Sequence, residues 1–427
     1  MSNAYSASNE PFQNNRSPEA IAIKPLHALM LLAFMWFAYF LNYCDRQAVF
    51  AMFPSLKTDL NMSDQQLGWT GTVFLWVYAL GCPVAGQIGD RVSKRILVVV
   101  SLIIWSIVTV ATGFARNATE MLTLRGFMGI SESLFMPTAI AMTAGAFSPA
   151  LRSRTIATLT TAQIAGTVIG SWYGGWMADQ GAWRIAFYVL GGIGLLYAVP
   201  YFLFLRNTPI ELKEPANQAA NAFSLGSLLN VVTFRILCIV FPVFVFGLWL
   251  LYGWLPTFLH DKFSLTQSKA AFNATMFLQV STAIGLLGGG MLADLLLKVT
   301  KASRFWLMTA SLILCAPSLH FLGNCESLPQ VRMAAIAFGL SSGLLMGNIF
   351  PSAFEVVPKS SRATAVGILN LCGGLMSGFA TLFGGMWKAT LGIDRLLTLT
   401  ALAYLVAGIV LTFGIIRFLP RDDLDSE

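Results

Sequence analysis

Apolar residues in this chain fall into runs of about 20, the length at which an α-helix crosses a hydrocarbon core of about 30 Å. Twelve such runs can be read along the 427 residues, centred near residues 39, 77, 105, 133, 167, 195, 248, 282, 314, 344, 376 and 407. In lipid, only helices and closed barrels satisfy their own backbone polar groups, so runs of this length specify a bundle of spanning helices. Composition agrees: 56% of residues are hydrophobic and 11% charged, against roughly a quarter charged in a soluble domain. An ordinary soluble fold is excluded.

The net charge of +7 reflects topology rather than affinity for nucleic acid. Most lysines and arginines sit on alternate loops, among them Arg91, Lys94, Arg95, Arg152, Arg154, Lys298, Lys301, Arg304, Lys359 and Arg362. The opposite loops hold fewer: Lys57, Arg116, Arg184, Lys262, Lys269, Arg332, Lys388 and Arg395. Basic residues concentrate on the cytoplasmic side, so both termini are expected there. Residues 1–25 are polar, lack a cleavable signal pattern and read as a disordered cytoplasmic tail. Cys44, Cys82, Cys238, Cys315, Cys325 and Cys372 show no ligand spacing and read as small buried hydrophobes. His27, His260 and His320 form no HExxH motif, and neither an enzyme nor a metal site is expected.

The longest polar interruption begins at Arg206 and divides the chain into halves at 26–206 and 234–418. A cytoplasmic linker at 207–233 joins them, and 419–427 forms a second tail. Three segments recur in order. "GQIGDRVSKR" (86–95) returns as "GMLADLLLK" (290–298), and "GISESLFMP" (129–137) as "GLSSGLLMG" (339–347). "RSRTIATLTTAQIAG" (152–166) returns as "SSRATAVGILNLCGG" (360–374). Duplicated six-helix halves place a substrate site at the repeat interface near the midplane.

With these residues the chain resembles the major facilitator superfamily over residues 26–418. The resemblance implies an all-α membrane protein of twelve transmembrane helices in two pseudo-symmetric six-helix bundles. Gly86, Asp90, Arg91 and Arg95, with Asp294 in the second copy, match the superfamily's inner-loop signature and imply a gate between the halves. In that gate Gly86 allows close helix approach, and Asp90 meets a helix N-terminus or a basic partner.

Four charges interrupt the apolar runs of the first half: Asp45 and Arg46 in the first span, Arg125 and Glu132 in the fourth. Unpaired, they would cost on the order of 10 kcal/mol on insertion scales, so pairing and a water-filled cavity are expected. Seven residues are nearly two helical turns, so Arg125 and Glu132 share a face about 10 Å apart. With both acids ionised, each arginine is expected to be occupied by a carboxylate. Protonation of Asp45 and Glu132 would release two guanidiniums, whose planar donors suit a substrate carboxylate. Burial favours the neutral acid and a neighbouring guanidinium the ionised one, so proton affinity can switch with substrate and conformation. The chemistry is that of proton–anion symport.

Asn42-Tyr43-Cys44-Asp45-Arg46, Arg125 to Glu132, Gln163 and "WLPTFL" (254–259) resemble the anion:cation symporters, which include sugar-acid permeases. That resemblance implies Asp45 and Glu132 as proton sites, with Tyr43, Arg46, Tyr78, Arg125 and Gln163 holding the carboxylate. The second half would then choose the anion, through Tyr252, Gln279, Asn348, Asn370 and Ser377. Trp254 reads either as a further contact or as an interfacial-belt aromatic. "GTVIGSWYGG" (166–175) nears the drug-antiporter glycine pattern but has Ser171 in place of its proline, which favours symport. The helix-one Asn-x-x-Asp-Arg and "DQQLGWTGTVFLWVYALGCPVAGQIGDR" also resemble spinster-like lipid transporters, the second reading. The expectations are a monomer in a bacterial inner membrane, a small organic anion and protons as partners, and no cofactor and no nucleic acid.

Overall fold

Helix ends in this chain are written into its polar punctuation. Ser63 starts a helix with a capping box, its hydroxyl accepting from the Gln66 N–H while the Gln66 side chain accepts from the Ser63 N–H. Asn117 and Thr266 cap two others through Glu120 and Lys269. The computed structural model describes residues 25–147, 149–207, 225–358 and 361–422. Both tails up to residue 24 and from 423, and most of the expected linker, lie outside these residues.

The first half comprises α1 (Pro25–Ala51), α2 (Phe53–Asp59), α3 (Asp64–Arg91), α4 (Lys94–Thr112), α5 (Ala118–Ala146), α6 (Pro149–Asp179) and α7 (Trp183–Asn207). The second comprises α8 (Leu225–Asn230), α9 (Val232–Phe263), α10 (Gln267–Leu296), α11 (Ser303–Asn324), α12 (Leu328–Val356), α13 (Arg362–Trp387), α14 (Ile393–Arg417) and α15 (Leu419–Asp422). Twelve of these helices are 19 to 32 residues long, and the described residues contain no strand. Ten are apolar enough to cross a membrane. The other two are α5, which carries Arg125 and Glu132, and α6, rich in threonine and glycine. The chain is a multi-pass integral membrane protein.

Small residues set the packing. A Cβ on Gly166 would lie 2.6 Å from the Phe40 carbonyl oxygen, and one on Gly174 2.6 Å from that of Ala48. Gly170, between them, faces the Cys44 backbone. These glycines, four residues apart, seat α6 directly on α1. The second half repeats the device, with Gly339 of α12 against the Leu278 carbonyl of α10.

The halves meet along two seams, α3 against α13 and α6 against α10. Both are closed toward the end of the bundle opposite the chain termini, the far end. Thr72 Oγ1 donates to the Gly378 carbonyl (2.9 Å), and Trp76 Nε1 to that of Leu375 (2.8 Å). Lys388 reaches Asp64 (3.6 Å) and Asp261 (2.9 Å). Asp179, the last residue of α6, accepts from the N–H groups of Gln267 (2.6 Å) and Ser268 (3.0 Å) at the start of α10. One half therefore supplies a carboxylate to orphan donors of a helix in the other.

Beyond Ala79 and Gly374 the α3–α13 seam parts. Pro83, Gln87 and Asn370 continue the facing surfaces and are exposed, and Gly86 and Gly367 have open space where a Cβ would point. The close approach expected at Gly86 is thus not made in this conformation, because the halves diverge there. Arg91 is exposed and Arg95 half-buried. The Asp90 side chain lies outside the described residues. Asp294 pairs within its own half, with Arg304 (3.0 Å), which also binds Glu355 (3.1 Å).

Replacing Asp179 by alanine removes a cross-seam cap, with an expected cost of about 1 kcal/mol to the far-end closure. A cysteine at Ser55, which accepts from Gln267 Nε2 (2.8 Å), should then react about fivefold faster with a membrane-impermeant maleimide in a background free of native cysteines. An unchanged labelling rate would show that the cap does not hold the seam.

Candidate functional site

The second half of α1 places Asn42, Asp45, Arg46 and Gln47 in the interior, each at most 3% exposed. Arg46 crosses to α5, where its Nη2 donates to Glu132 Oε2 (2.7 Å) and its Nε reaches the same oxygen (3.3 Å). Three rings cover the Arg46 guanidinium: Tyr43 at 4.7 Å, and Phe74 and Tyr78 at 4.8 Å each. Such contacts stabilise a cation by about 0.5–2 kcal/mol apiece when desolvated. Arg46 is bound by a carboxylate, as expected.

Arg125 is not. It is fully buried, and its Nε and Nη1 face the Thr70 carbonyl (3.4 Å) and the Met128 sulfur (3.1 Å). Its Nη2 has no hydrogen-bond partner among the described residues. The expectation that both arginines would be neutralised by carboxylates is corrected here. Seven residues on one helix hold Arg125 too far from Glu132, and Arg46, arriving from α1, takes that carboxylate instead. The Phe74 ring lies 4.8 Å from each guanidinium, so both cations meet one phenyl.

Asp45 is held from α4, its Oδ2 accepting from Thr109 Oγ1 (3.2 Å). Asp45 Oδ1 and Glu132 Oε1 have no partner among the described residues. The four charges sum to zero but resolve into one ion pair, one separate anion and one separate cation. Gln163 of α6 accepts from the Tyr39 hydroxyl (3.0 Å), and Tyr39 stands edge-on to Tyr43 at 5.0 Å. Tyr39, Phe74 and Thr109 were not among the residues singled out from sequence. Tyr39 lies seven residues before Arg46 on one helix face, a spacing that carries the signal. Phe74 and Thr109 reach the site from helices that sequence spacing does not relate to α1.

From the second half, Tyr252 and Gln279 are buried, and Tyr252 stands edge-on to Trp249 at 5.7 Å. Gln279 Nε2 is buried without a partner among the described residues. Asn348 Nδ2 donates to the carbonyls of Leu344 (2.8 Å) and Gly289 (3.3 Å), which ties α12 to α10. The Ser377 hydroxyl donates to the Gly374 carbonyl on its own helix (2.6 Å). Asn370 stands on the open part of the seam. Trp254 corrects the belt expectation: it is fully buried, donates to the Thr381 carbonyl (2.9 Å) and pins α9 to α13, so its ring faces protein rather than lipid.

Comparison with known proteins follows the same lines. Residues 35–381 match the profile of the Major Facilitator Superfamily. A hexuronate transporter of Bacillus subtilis is 25% identical over 406 residues, covering 91% of this chain and 94% of its own. Protein spinster homolog 1 of Xenopus laevis is 29% identical over 241 residues, 54% of this chain and 46% of its own. Among solved structures, a bacterial homolog of the human lysosomal transporter spinster, inward-facing and unoccupied, superposes with a TM-score of 0.81. It covers 94% of this chain and 99% of its own at 20% identity, a likeness of fold.

Proposed function

Because this chain belongs to the Major Facilitator Superfamily, whose members are transporters rather than enzymes, we propose that it is a proton-coupled symporter of a small organic anion, working by alternating access. The observation that carries this reading is the unequal pairing of the buried charges: Arg46 is locked on Glu132 while Arg125 keeps an unpartnered donor. Arg125 gives the anion its first contact. Proton uptake by Glu132 breaks its pair with Arg46, and the two guanidiniums flanking Phe74 then close on one carboxylate. Asp45, held by Thr109, is the second proton-accepting group. Tyr43, Tyr78 and Gln163 complete the binding face. Tyr252 and Gln279 bring the second half over the substrate, and Asn370 and Ser377 line the approach along α13. In this reading the termini face the cytoplasm, the chain acts as a monomer in a bacterial inner membrane, and closure of the far end makes this conformation the inward-open one of the cycle.

Similarity to hexuronate transporters supports the carboxylate. Likeness to spinster proteins keeps a second reading in view, proton-coupled transport of a lysolipid. A thermal-shift screen of small carboxylates and lysophospholipids at acidic and neutral pH tests the proposal. A ligand present at 100 times its Kd stabilises by about 2.7 kcal/mol. The expected result is a carboxylate that raises Tm more at acidic pH. Stabilisation by lysophospholipid alone would replace the proposed cargo.

A further inference from the structure

A small cavity of about 50 Å³ lies between α1, α5 and α6, on the terminal side of the charged cluster. Its walls are apolar: Met35, Met136, Ala139 and Leu159, with Tyr39 and Thr160 as its polar edge. Tyr39 joins it to the site, because the same ring lines the cavity, stands against Tyr43 and donates to Gln163. Tyr43 in turn covers Arg46. Two antiparallel helices give the same offset from the ion pair. Tyr39 is seven residues from Arg46 on α1, and Ala139 is seven from Glu132 on α5. Each interval is about 10 Å along the axis.

We infer that this cavity is a subsite for the apolar end of the transported anion, so that the substrate is an amphipathic monocarboxylate with an alkyl or aryl body about 10 Å long. The inference rests on the carboxylate reading above and narrows it. A polyhydroxylated acid would leave its hydroxyls facing methionine, alanine and leucine side chains, where unpaired polar groups are costly. An alkyl or phenyl end removes apolar surface from water instead. On the second-half side, Asn348 and Ser377 direct their donors to backbone carbonyls, and Trp249 and Tyr252 present rings 5.7 Å apart. Gln279 Nε2 is a buried second-half donor left to meet a polar group of the substrate.

The experiment is direct binding to purified full-length protein in nanodiscs, at acidic pH, using propionate, hexanoate, octanoate, 3-phenylpropionate, gluconate and galacturonate. Each buried methylene is worth about a three- to fourfold gain. Octanoate is expected to bind on the order of 50-fold tighter than propionate, the effect of about three buried methylenes, and both sugar acids more weakly than hexanoate. Ala139→Phe fills the cavity, and Thr160→Phe narrows it from its half-exposed rim; either should cut the octanoate-to-propionate ratio below about fourfold, the worth of one methylene. If one variant fails to fold, the other carries the test. Sugar acids binding more tightly than octanoate, or a ratio unchanged by the folded variants, would overturn the inference and leave the carboxylate reading standing. No binding by any carboxylate would instead overturn the reading on which it rests.

Discussion

Glu132→Gln is expected to abolish substrate accumulation driven by a pH gradient while preserving exchange of labelled for unlabelled substrate. Glutamine keeps the shape of the side chain and removes the charge that holds Arg46 at 2.7 Å. Arg46 is then permanently available to the anion, so binding no longer waits for a proton. Uphill uptake in reconstituted vesicles should fall to the level of empty liposomes, a loss on the order of 100-fold against a two-unit pH gradient at about 1.4 kcal/mol per unit. Counterflow should persist within about tenfold. Undiminished accumulation by the glutamine variant would remove Glu132 from the coupling mechanism.

The second large effect separates the two arginines by the sign of their contribution to stability. Arg125 is a buried cation without a carboxylate partner, and unpaired buried charge costs several kcal/mol. Arg125→Met should therefore raise the Tm of the substrate-free protein while weakening anion binding by about 2–5 kcal/mol, from roughly 30-fold to several-thousand-fold. Arg46→Met should do the opposite to stability. It strands Glu132, and breaking a buried pair by removing one partner costs about 3–5 kcal/mol. Thermal unfolding in detergent, read beside binding of the same carboxylate, checks both. A fall in Tm for Arg125→Met comparable with that for Arg46→Met would mean that Arg125 serves packing, and the anion site would have to be sought elsewhere. The trade of stability for binding is the usual signature of a functional group held in a costly place.

Much of the fold was legible in the chain because hydrocarbon thickness imposes a length on every span and because the halves repeat in order. The four buried charges were legible for the same reason: few ionisable groups occur within apolar runs, and each one stands out. Their pairing was not. Arg125 and Glu132 share a helix face, which suggests a relation, but seven residues of axial rise separate them and Arg46 enters from another helix. Phe74, which touches both guanidiniums, is one aromatic among many in the sequence and becomes informative only in three dimensions. Trp254 shows the reverse error. Its position at the end of a span matched an interfacial residue, yet α9 and α13 bury it, and its indole N–H needs the Thr381 carbonyl. The gate behaves similarly: Gly86 permits a close approach, but whether that approach is made depends on which end of the seam is closed.

The central claim is that one movement couples the anion and the proton through Asp45, Arg46, Arg125 and Glu132. The most direct measurement records anion uptake and internal pH together in proteoliposomes loaded with a pH-sensitive dye. Addition of a transported carboxylate, without an imposed gradient, should acidify the lumen in proportion to uptake, and the double variant Asp45→Asn, Glu132→Gln should show neither acidification nor uphill accumulation. Carboxylate uptake without proton entry in the unaltered protein, or proton-coupled uptake surviving in the double variant, would contradict the account.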